Sequence, residues 1–234
     1  MCVAAGEAGG SFRYSYSPRR SYDVYCPSAD PARTAAEAAR RARAKLRRYC
    51  AANGLNRLGT LTYRGDGCYD PKQLRQDVGE FFRRMRSGLG GKALPYAWTA
   101  EWHKSGHGQH VHFAVGQYVR RSTIEDAWRR GFVHIKLLGD LSVGSGSLEE
   151  ARRAAGYLSK YVGKAFTENR IHGLHRYEVA QGFQPAIDYV QARTADEALE
   201  MACGFFNGRR PQHVWRSQQS DWPRPPSVWA SWPG

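Results

Sequence analysis

Two histidines separated by one residue, His110 and His112, stand out in the stretch HGQHVHFAV at residues 107–115. Apolar residues follow them, and the pattern over 109–116 predicts a β-strand. Because side chains alternate across a strand, both imidazoles lie on the same face. Two imidazoles alone bind a divalent cation weakly, so a metal site here requires a third ligand.

A hairpin brings further ligands to this face. The preceding stretch LPYAWTAEWHK predicts a second strand, and two glycines favour a turn at 104–109. With that turn, Glu101 lies opposite His112 and His103 lies opposite His110. The other face of the hairpin then carries apolar side chains: Trp98, Ala100, Trp102, Val111, Phe113 and Val115.

We therefore predict that Glu101, His110 and His112 bind a metal ion, with His103 as the alternative ligand or as a supporting group. A mixed nitrogen and oxygen set with open positions suits Mn²⁺ or Mg²⁺ acting on a phosphate, and zinc also fits. A polar hairpin facing solvent without metal is the structural alternative. A zinc hydrolase using His107, His110 and His112 is a further one, but it leaves the next motif unexplained.

The second motif is the stretch GYLSKYVGK, within a helix predicted over 147–165. Tyr157 and Tyr161 are one turn apart, and Lys160 and Lys164 follow them by three residues each. Apolar residues spaced three and four apart form the predicted buried stripe: Leu148, Ala151, Ala155, Leu158 and Val162. At about 100° per residue, the tyrosines and lysines lie on roughly the opposite side.

Paired tyrosines beside lysines are suited to nucleophilic attack on a phosphodiester. A phenol has a pKa of about 10 and is a poor nucleophile at neutral pH. Adjacent lysines and a metal ion favour the phenolate and neutralise the phosphate under attack. The alternative is that both tyrosines simply pack inside a helix that is buried on two sides.

The charge balance favours a polyanionic partner. The chain has 35 Lys and Arg against 21 Asp and Glu, a net charge of +14. We expect nucleic acid rather than a membrane, since no apolar run approaches a membrane span and no signal-peptide core is present. The five cysteines are scattered without a CxxC pair, which argues against a disulfide framework or a cysteine zinc site. These features predict a cytoplasmic protein.

The remaining periodic segments predict an α+β fold. Their order is helix, strand, helix, two strands joined by the hairpin, helix, strand and helix, which is typical of helices around a mainly antiparallel sheet. The segments outside the two motifs are helices over 31–52 and 71–87, strands over 57–63, 131–138 and 212–217, and a helix opening at Thr194.

Three motifs in this order resemble those of the HUH endonuclease superfamily, specifically its rolling-circle replication initiators. They are LGTLTY (58–63), HVH (110–112) and YLSKY (157–161). Relaxases of the superfamily carry the nucleophile before the histidines, whereas initiators carry it after them, as here. The paired tyrosines resemble gene-A-type proteins of small single-stranded DNA phages. The stretch HRYEVAQGFQP (175–185) and the Trp-rich tail resemble actinobacterial plasmid and phage initiators.

The resemblance implies a fold and a reaction. The fold is a central antiparallel sheet of about five strands with flanking helices, with the histidine hairpin at its centre. The reaction is origin-specific nicking and strand transfer through a 5′-phosphotyrosine, which initiates rolling-circle replication. Related plasmid initiators have a glutamate at the position of Tyr157, so Tyr161 is favoured as the initiating nucleophile. Lys160 and Lys164 would orient or neutralise the phosphate.

The implied partners are single-stranded or extruded origin DNA, a polymerase and a host helicase, because the chain has no P-loop signature. The chain divides into an extended arm (1–29), a nicking domain with a preceding basic helix (30–185), and a helix–strand extension with a Trp/Pro-rich tail (186–234). Two alternatives remain: a non-catalytic basic nucleic-acid-binding protein, and an HUH-type transposase acting on hairpin ends. Residues 1–50 and 185–234 argue against the transposase, which is usually shorter.

Overall fold

The computed structural model describes residues 1–11, 31–137, 147–167, 171, 174–217 and 226–233. Its strands are β1 (Glu7–Ser11), β2 (Arg57–Tyr63), β3 (Tyr96–Trp102), β4 (Gln109–Val115), β5 (Gly131–Leu137), β6 (Glu178–Val179), β7 (His213–Arg216) and β8 (Ser227–Ser231). Its α-helices are α1 (Pro31–Ala52), α2 (Pro71–Gly88), α3 (Arg121–Trp128), α4 (Ser147–Thr167) and α5 (Ala195–Phe205).

A five-stranded antiparallel sheet in the order β5–β2–β4–β3–β6 forms the centre of the fold. The histidine strand β4 is the middle strand. Helices flank the sheet on both faces, so the predicted α+β class with a central antiparallel sheet is confirmed.

One face of the sheet is covered by α2 and α3. The hairpin alternation places Trp98, Val111 and Phe113 on this face, where they are buried. They pack with Phe81 and Phe82 of α2 in one aromatic core, in which the Phe81 and Phe113 ring centroids are 5.3 Å apart. Asp70 caps α2 by accepting a hydrogen bond from the Lys72 backbone N–H, which fixes where this helix begins.

The opposite face is covered by α1 and α4, which run antiparallel to each other. The C-terminal end of α1 packs near Leu148 at the start of α4. Small side chains line the contact with the sheet, where Ala97 and Ala114 meet Ala155 and Leu158 of α4. Because these side chains are short, the helix backbone lies close to the strands. The predicted stripe on α4 is confirmed as its buried side.

Both ends of the described chain pack against these two helices. β1 and β8 belong to a second, three-stranded sheet in the order β1–β8–β7. Arg152 of α4 donates hydrogen bonds to the Gly6 and Trp232 carbonyls at 2.8 and 3.0 Å. The buried carboxylate of Glu7 forms an ion pair with Arg47 of α1 at 3.0 Å. These contacts anchor the second sheet to the central fold.

The strand predicted over 212–217 is β7 of this second sheet, whereas β8 in the Trp/Pro-rich tail carries no strand prediction. Of the predicted arm over 1–29, residues 12–29 lie outside the described part of the chain. None of the described helices has the length and apolar character that crossing a bilayer requires.

The close packing around Gly59 of β2 generates a stability prediction. A Cβ atom there would overlap two ring carbons of Phe113, which is itself buried. We expect Gly59→Ala to lower the free energy of unfolding by about 1 to 3 kcal/mol, because the overpacked core must shift. Urea denaturation followed by circular dichroism measures the change.

Gly156 of α4 provides the matched control, because no atom lies within 4 Å of the place that a Cβ atom would occupy there. Gly156→Ala should raise the free energy of unfolding by about 0.5 to 1 kcal/mol through helix propensity. A destabilisation of equal size in both variants would contradict the packing explanation.

Candidate metal centre and tyrosine pair

β3 and β4 form the predicted hairpin, but the predicted register is wrong by two residues. Glu101 lies opposite His110 rather than His112, and Thr99 lies opposite His112. His103, which the prediction pairs with His110, lies beyond the end of β3. A shift of two residues keeps every side chain on its face, so the separation into a polar and an apolar face is preserved.

The turn explains the difference in register. Gly106 and Gly108 adopt left-handed backbone conformations, with φ of 79° and 65°. They fold the segment so that the His103 N–H donates to the Gly108 carbonyl at 2.8 Å. At Gly108 a Cβ atom would lie 2.5 Å from the Cys68 carbonyl oxygen, so this position requires glycine on two counts.

Glu101, His110 and His112 form one converging group of ligand atoms. The two imidazole Nε2 atoms are 2.9 Å apart. The Glu101 Oε2 lies 3.3 Å from the His112 Nε2 and 3.5 Å from the His110 Nε2. All three side chains are buried in the sheet face.

These separations fit a metal ion. Ligand atoms about 2.1 Å from one cation are about 3.0 to 3.4 Å apart in octahedral or tetrahedral coordination. The buried group could therefore bind a divalent cation through two nitrogens and one oxygen. A hydrogen-bonded His–His–Glu cluster without a cation has similar distances, and metal titration separates the two.

Thr60 of β2 orients one of the imidazoles and is a site residue without a sequence-based prediction. Its Oγ1 is 3.0 Å from the His112 Nδ1. When Nδ1–H donates to this oxygen, Nε2 carries the lone pair that a metal needs. The signal for Thr60 is the pairing of β2 with β4, which sets it opposite His112. The motif LGTLTY alone does not contain that pairing.

The other two histidines near the turn do not join the converging group. The His103 ring contacts the His110 ring at 5.2 Å between centroids, and its Nδ1 is 2.6 Å from the Ser105 Oγ. The His107 Nε2 instead lies 3.2 Å from the Tyr63 carbonyl oxygen. Among the residues that the structure describes, the metal-ligand group contains neither of them, so the alternative zinc site with His107 gains no support.

α4 brings both tyrosines to the histidines. The Tyr161 ring stacks on the His112 ring with centroids 3.7 Å apart and an interplanar angle of 17°. The Tyr157 ring meets the same imidazole edge-on at 6.2 Å. The Tyr161 hydroxyl donates a hydrogen bond to the Tyr157 hydroxyl at 2.9 Å. The two phenols and the metal-ligand group are therefore one site.

The expectation that the tyrosines lie opposite the buried stripe of α4 is wrong. Both are half-buried, and Tyr157 packs against the same core as Leu158. The reason is that α4 contacts α1 with its alanine-rich side and the sheet with the adjacent side. The tyrosines occupy that second contact.

The electrostatic surroundings of Tyr161 oppose its ionisation. Burial raises the pKa of this phenol, and the hydrogen bond to Tyr157 and the negative charge of Glu101 raise the pKa further. Tyr161 is therefore protonated at neutral pH. A cation bound beside Glu101 would offset the carboxylate charge and favour the phenolate.

The two lysines are placed differently. Lys160 is exposed, and its Nζ lies 5.9 Å from the centroid of the Tyr157 ring, within cation–π range. Its ammonium group is therefore adjacent to the phenols. Lys164 belongs to α4, but its side chain lies outside the described part of the chain.

Comparison with protein families agrees with this site. Residues 56–166 match the family model of the replication-associated protein ORF2. The match runs from the residue before β2 into the last turn of α4, so it contains the metal-ligand group and both tyrosines. It supports a rolling-circle Rep-type initiator, a class that is generally endonuclease-like. Comparisons with curated proteins and with solved structures gave no match.

The hydrogen bond from Thr60 to His112 generates a prediction about metal affinity. Thr60→Val keeps the shape of the side chain but removes the oxygen that orients the imidazole. We expect the affinity for Mn²⁺ to fall by about 10- to 100-fold in isothermal titration calorimetry. Thr62→Val is the matched control, because Thr62 lies on the same strand and face, opposite His110. Equal affinities in both variants would show that Thr60 does not orient the ligand.

Proposed function

We propose that this protein is a metal-dependent DNA endonuclease and strand transferase that nicks single-stranded origin DNA and so initiates rolling-circle replication. The observation that carries the proposal is the stacking of Tyr161 on His112. It joins a potential nucleophile on α4 to a potential cation site on β3 and β4 within the region that matches the family model.

In the proposed reaction, the Tyr161 oxygen attacks the phosphorus of a phosphodiester. A bond forms between this oxygen and phosphorus, and the bond between phosphorus and the 3′ oxygen of the preceding nucleotide breaks. The phenol loses its proton, and the departing oxygen gains one to become a free 3′-OH. A divalent cation held by Glu101, His110 and His112 supplies positive charge that polarises the phosphate.

The product is a 5′-phosphotyrosine that conserves the energy of the broken ester. A free 3′-OH can attack it later, so rejoining requires no ATP. The Tyr157 hydroxyl accepts the hydrogen bond of Tyr161, and both phenols face one imidazole. We propose that Tyr157 cuts the regenerated origin after one round, and that the new 3′-OH then resolves the first linkage.

Surrounding charges assist the phosphate. Lys160 beside the Tyr157 ring would neutralise or orient it, and we propose the same role for Lys164. The net charge of +14 favours DNA as the polyanionic partner. Single-stranded or extruded origin DNA, a polymerase and a host helicase are the proposed partners, with Mn²⁺ or Mg²⁺ as the proposed cofactor.

Removal of the phenol oxygen tests the nucleophile. A library of single-stranded oligonucleotides with Mn²⁺ should give covalent adducts with the unmodified protein on a denaturing gel. Tyr161→Phe should lower the adduct yield by about two orders of magnitude or more, because the attacking atom is gone. Tyr189→Phe, at a tyrosine that is 89 % exposed, is the control and should retain the full yield.

The outcome of this experiment separates three functions. Undiminished capture by Tyr161→Phe, with loss in Tyr157→Phe, would move the initiating role to Tyr157. Reversible binding without any adduct would instead identify a non-catalytic nucleic-acid-binding protein.

Removal of a metal ligand tests the cation requirement. His110→Ala should lose metal-dependent nicking, since two ligands hold a cation poorly, while DNA binding should remain within about three-fold. EDTA in excess should produce the same separation with the unmodified protein. His213→Ala, at an exposed histidine of β7, serves as the control. Nicking that survives both His110→Ala and EDTA would remove the metal from the chemistry.

A further inference from the structure

The edge strand β5 presents an exposed aromatic side chain close to the proposed nicking site. Phe132 exposes 71 % of its surface, although a phenyl ring normally contributes to a core. Its neighbour on β5, Val133, is buried in the aromatic core on the other face of the sheet. The exposure of Phe132 is therefore confined to one face of the sheet.

Strand register shows that this face is the one with the metal-ligand group. Thr62 of β2 pairs with Phe132 on one side and with His110 on the other. In the next row, Thr60 pairs with the exposed His134 and with His112. Two strand spacings separate the backbones of Phe132 and His110, about 10 Å.

The surface between these residues is shallow, because threonines are short side chains that stand between β5 and β4. Both Thr60 and Thr62 are partly exposed. A flexible chain that lies across β2 would thus pass from the Phe132 ring to the histidines without crossing a large side chain.

Two exposed arginines stand beside the start of β5. The Arg64 guanidinium donates to the Arg129 carbonyl at 2.6 Å, and the Arg64 N–H donates to the Arg130 carbonyl at 3.0 Å. Within the described ranges, neither Arg64 nor Arg129 forms an ion pair, whereas Arg130 pairs with Asp77. The uncompensated positive charge therefore lies close to the Phe132 ring.

We propose that Phe132 is a stacking site for a nucleobase of single-stranded DNA, with Arg64 and Arg129 contacting the flanking phosphates. An aromatic face beside arginines is the combination that binds single strands without base-specific hydrogen bonds. The site continues across Thr62 to the metal-ligand group, so it would hold a nucleotide near the scissile phosphate. The identity of the ligand rests on the proposed nicking function.

The stacking is tested by fluorescence anisotropy with a labelled oligo-dT of twenty nucleotides, without added metal. Phe132→Ala should weaken binding by about 5- to 100-fold, and Phe132→Trp should restore it, because any large aromatic face can stack on a base. Ile135→Ala is the matched control, since Ile135 lies on the same strand, is 37 % exposed and faces the other side of the sheet. It should bind like the unmodified protein.

The phosphate contacts are tested by the salt dependence of the same binding. Each lost contact to a single strand should reduce the slope of log affinity against log salt by about 0.7. We expect that reduction for Arg64→Gln and for Arg129→Gln. Arg210→Gln, at an exposed arginine near the second sheet, should leave the slope unchanged.

The inference and the proposed function fail in different ways. Equal binding by Phe132→Ala and Ile135→Ala overturns the stacking site, even when the unmodified protein still forms covalent adducts. Absence of any oligo-dT binding also overturns it. Conversely, binding that depends on Phe132 in a protein that never forms an adduct supports the stacking site and removes the nicking function.

Discussion

The contact between α4 and the central sheet is the constraint on which the site depends. Its alanines and those of the sheet bring the helix close enough for Tyr161 to stack directly on His112. A larger side chain at Ala97 or Ala114 would push the helix outward and separate the phenols from the imidazoles. Core packing thus sets the distance between the two halves of the proposed chemistry, as expected for interiors packed to near-crystalline density.

The site concentrates polar groups where stability alone would favour apolar ones. Glu101, His110 and His112 are all buried on a sheet face, and burying a charged or polar group costs free energy unless partners compensate. The carboxylate also raises the pKa of the Tyr161 phenol. A divalent cation would relieve both effects, because it pairs with the carboxylate and favours the phenolate. The arrangement is therefore better explained by function than by folding.

The two faces of the sheet have different tasks. The face under α2 and α3 is a continuous aromatic core that holds the strands together. The face under α4 is open toward β5, where Phe132 and His134 are exposed in line with the metal-ligand group. A single sheet therefore provides both a rigid support and an accessible surface, and the support keeps the ligand residues in place.

The sequence by itself determined the elements, the two faces of the hairpin and the residues of the site. Strands β2 to β5 lie within two residues of their predicted bounds, because alternation and helical periodicity are local properties. Only the tertiary structure decided the register of Glu101, the role of Thr60 and the inward placement of Tyr157 and Tyr161. The physical reason is that a shift of two residues leaves the alternation unchanged, so the pattern specifies a face but not a partner. Partners depend on turn geometry, on the neighbouring strand and on how closely a helix packs.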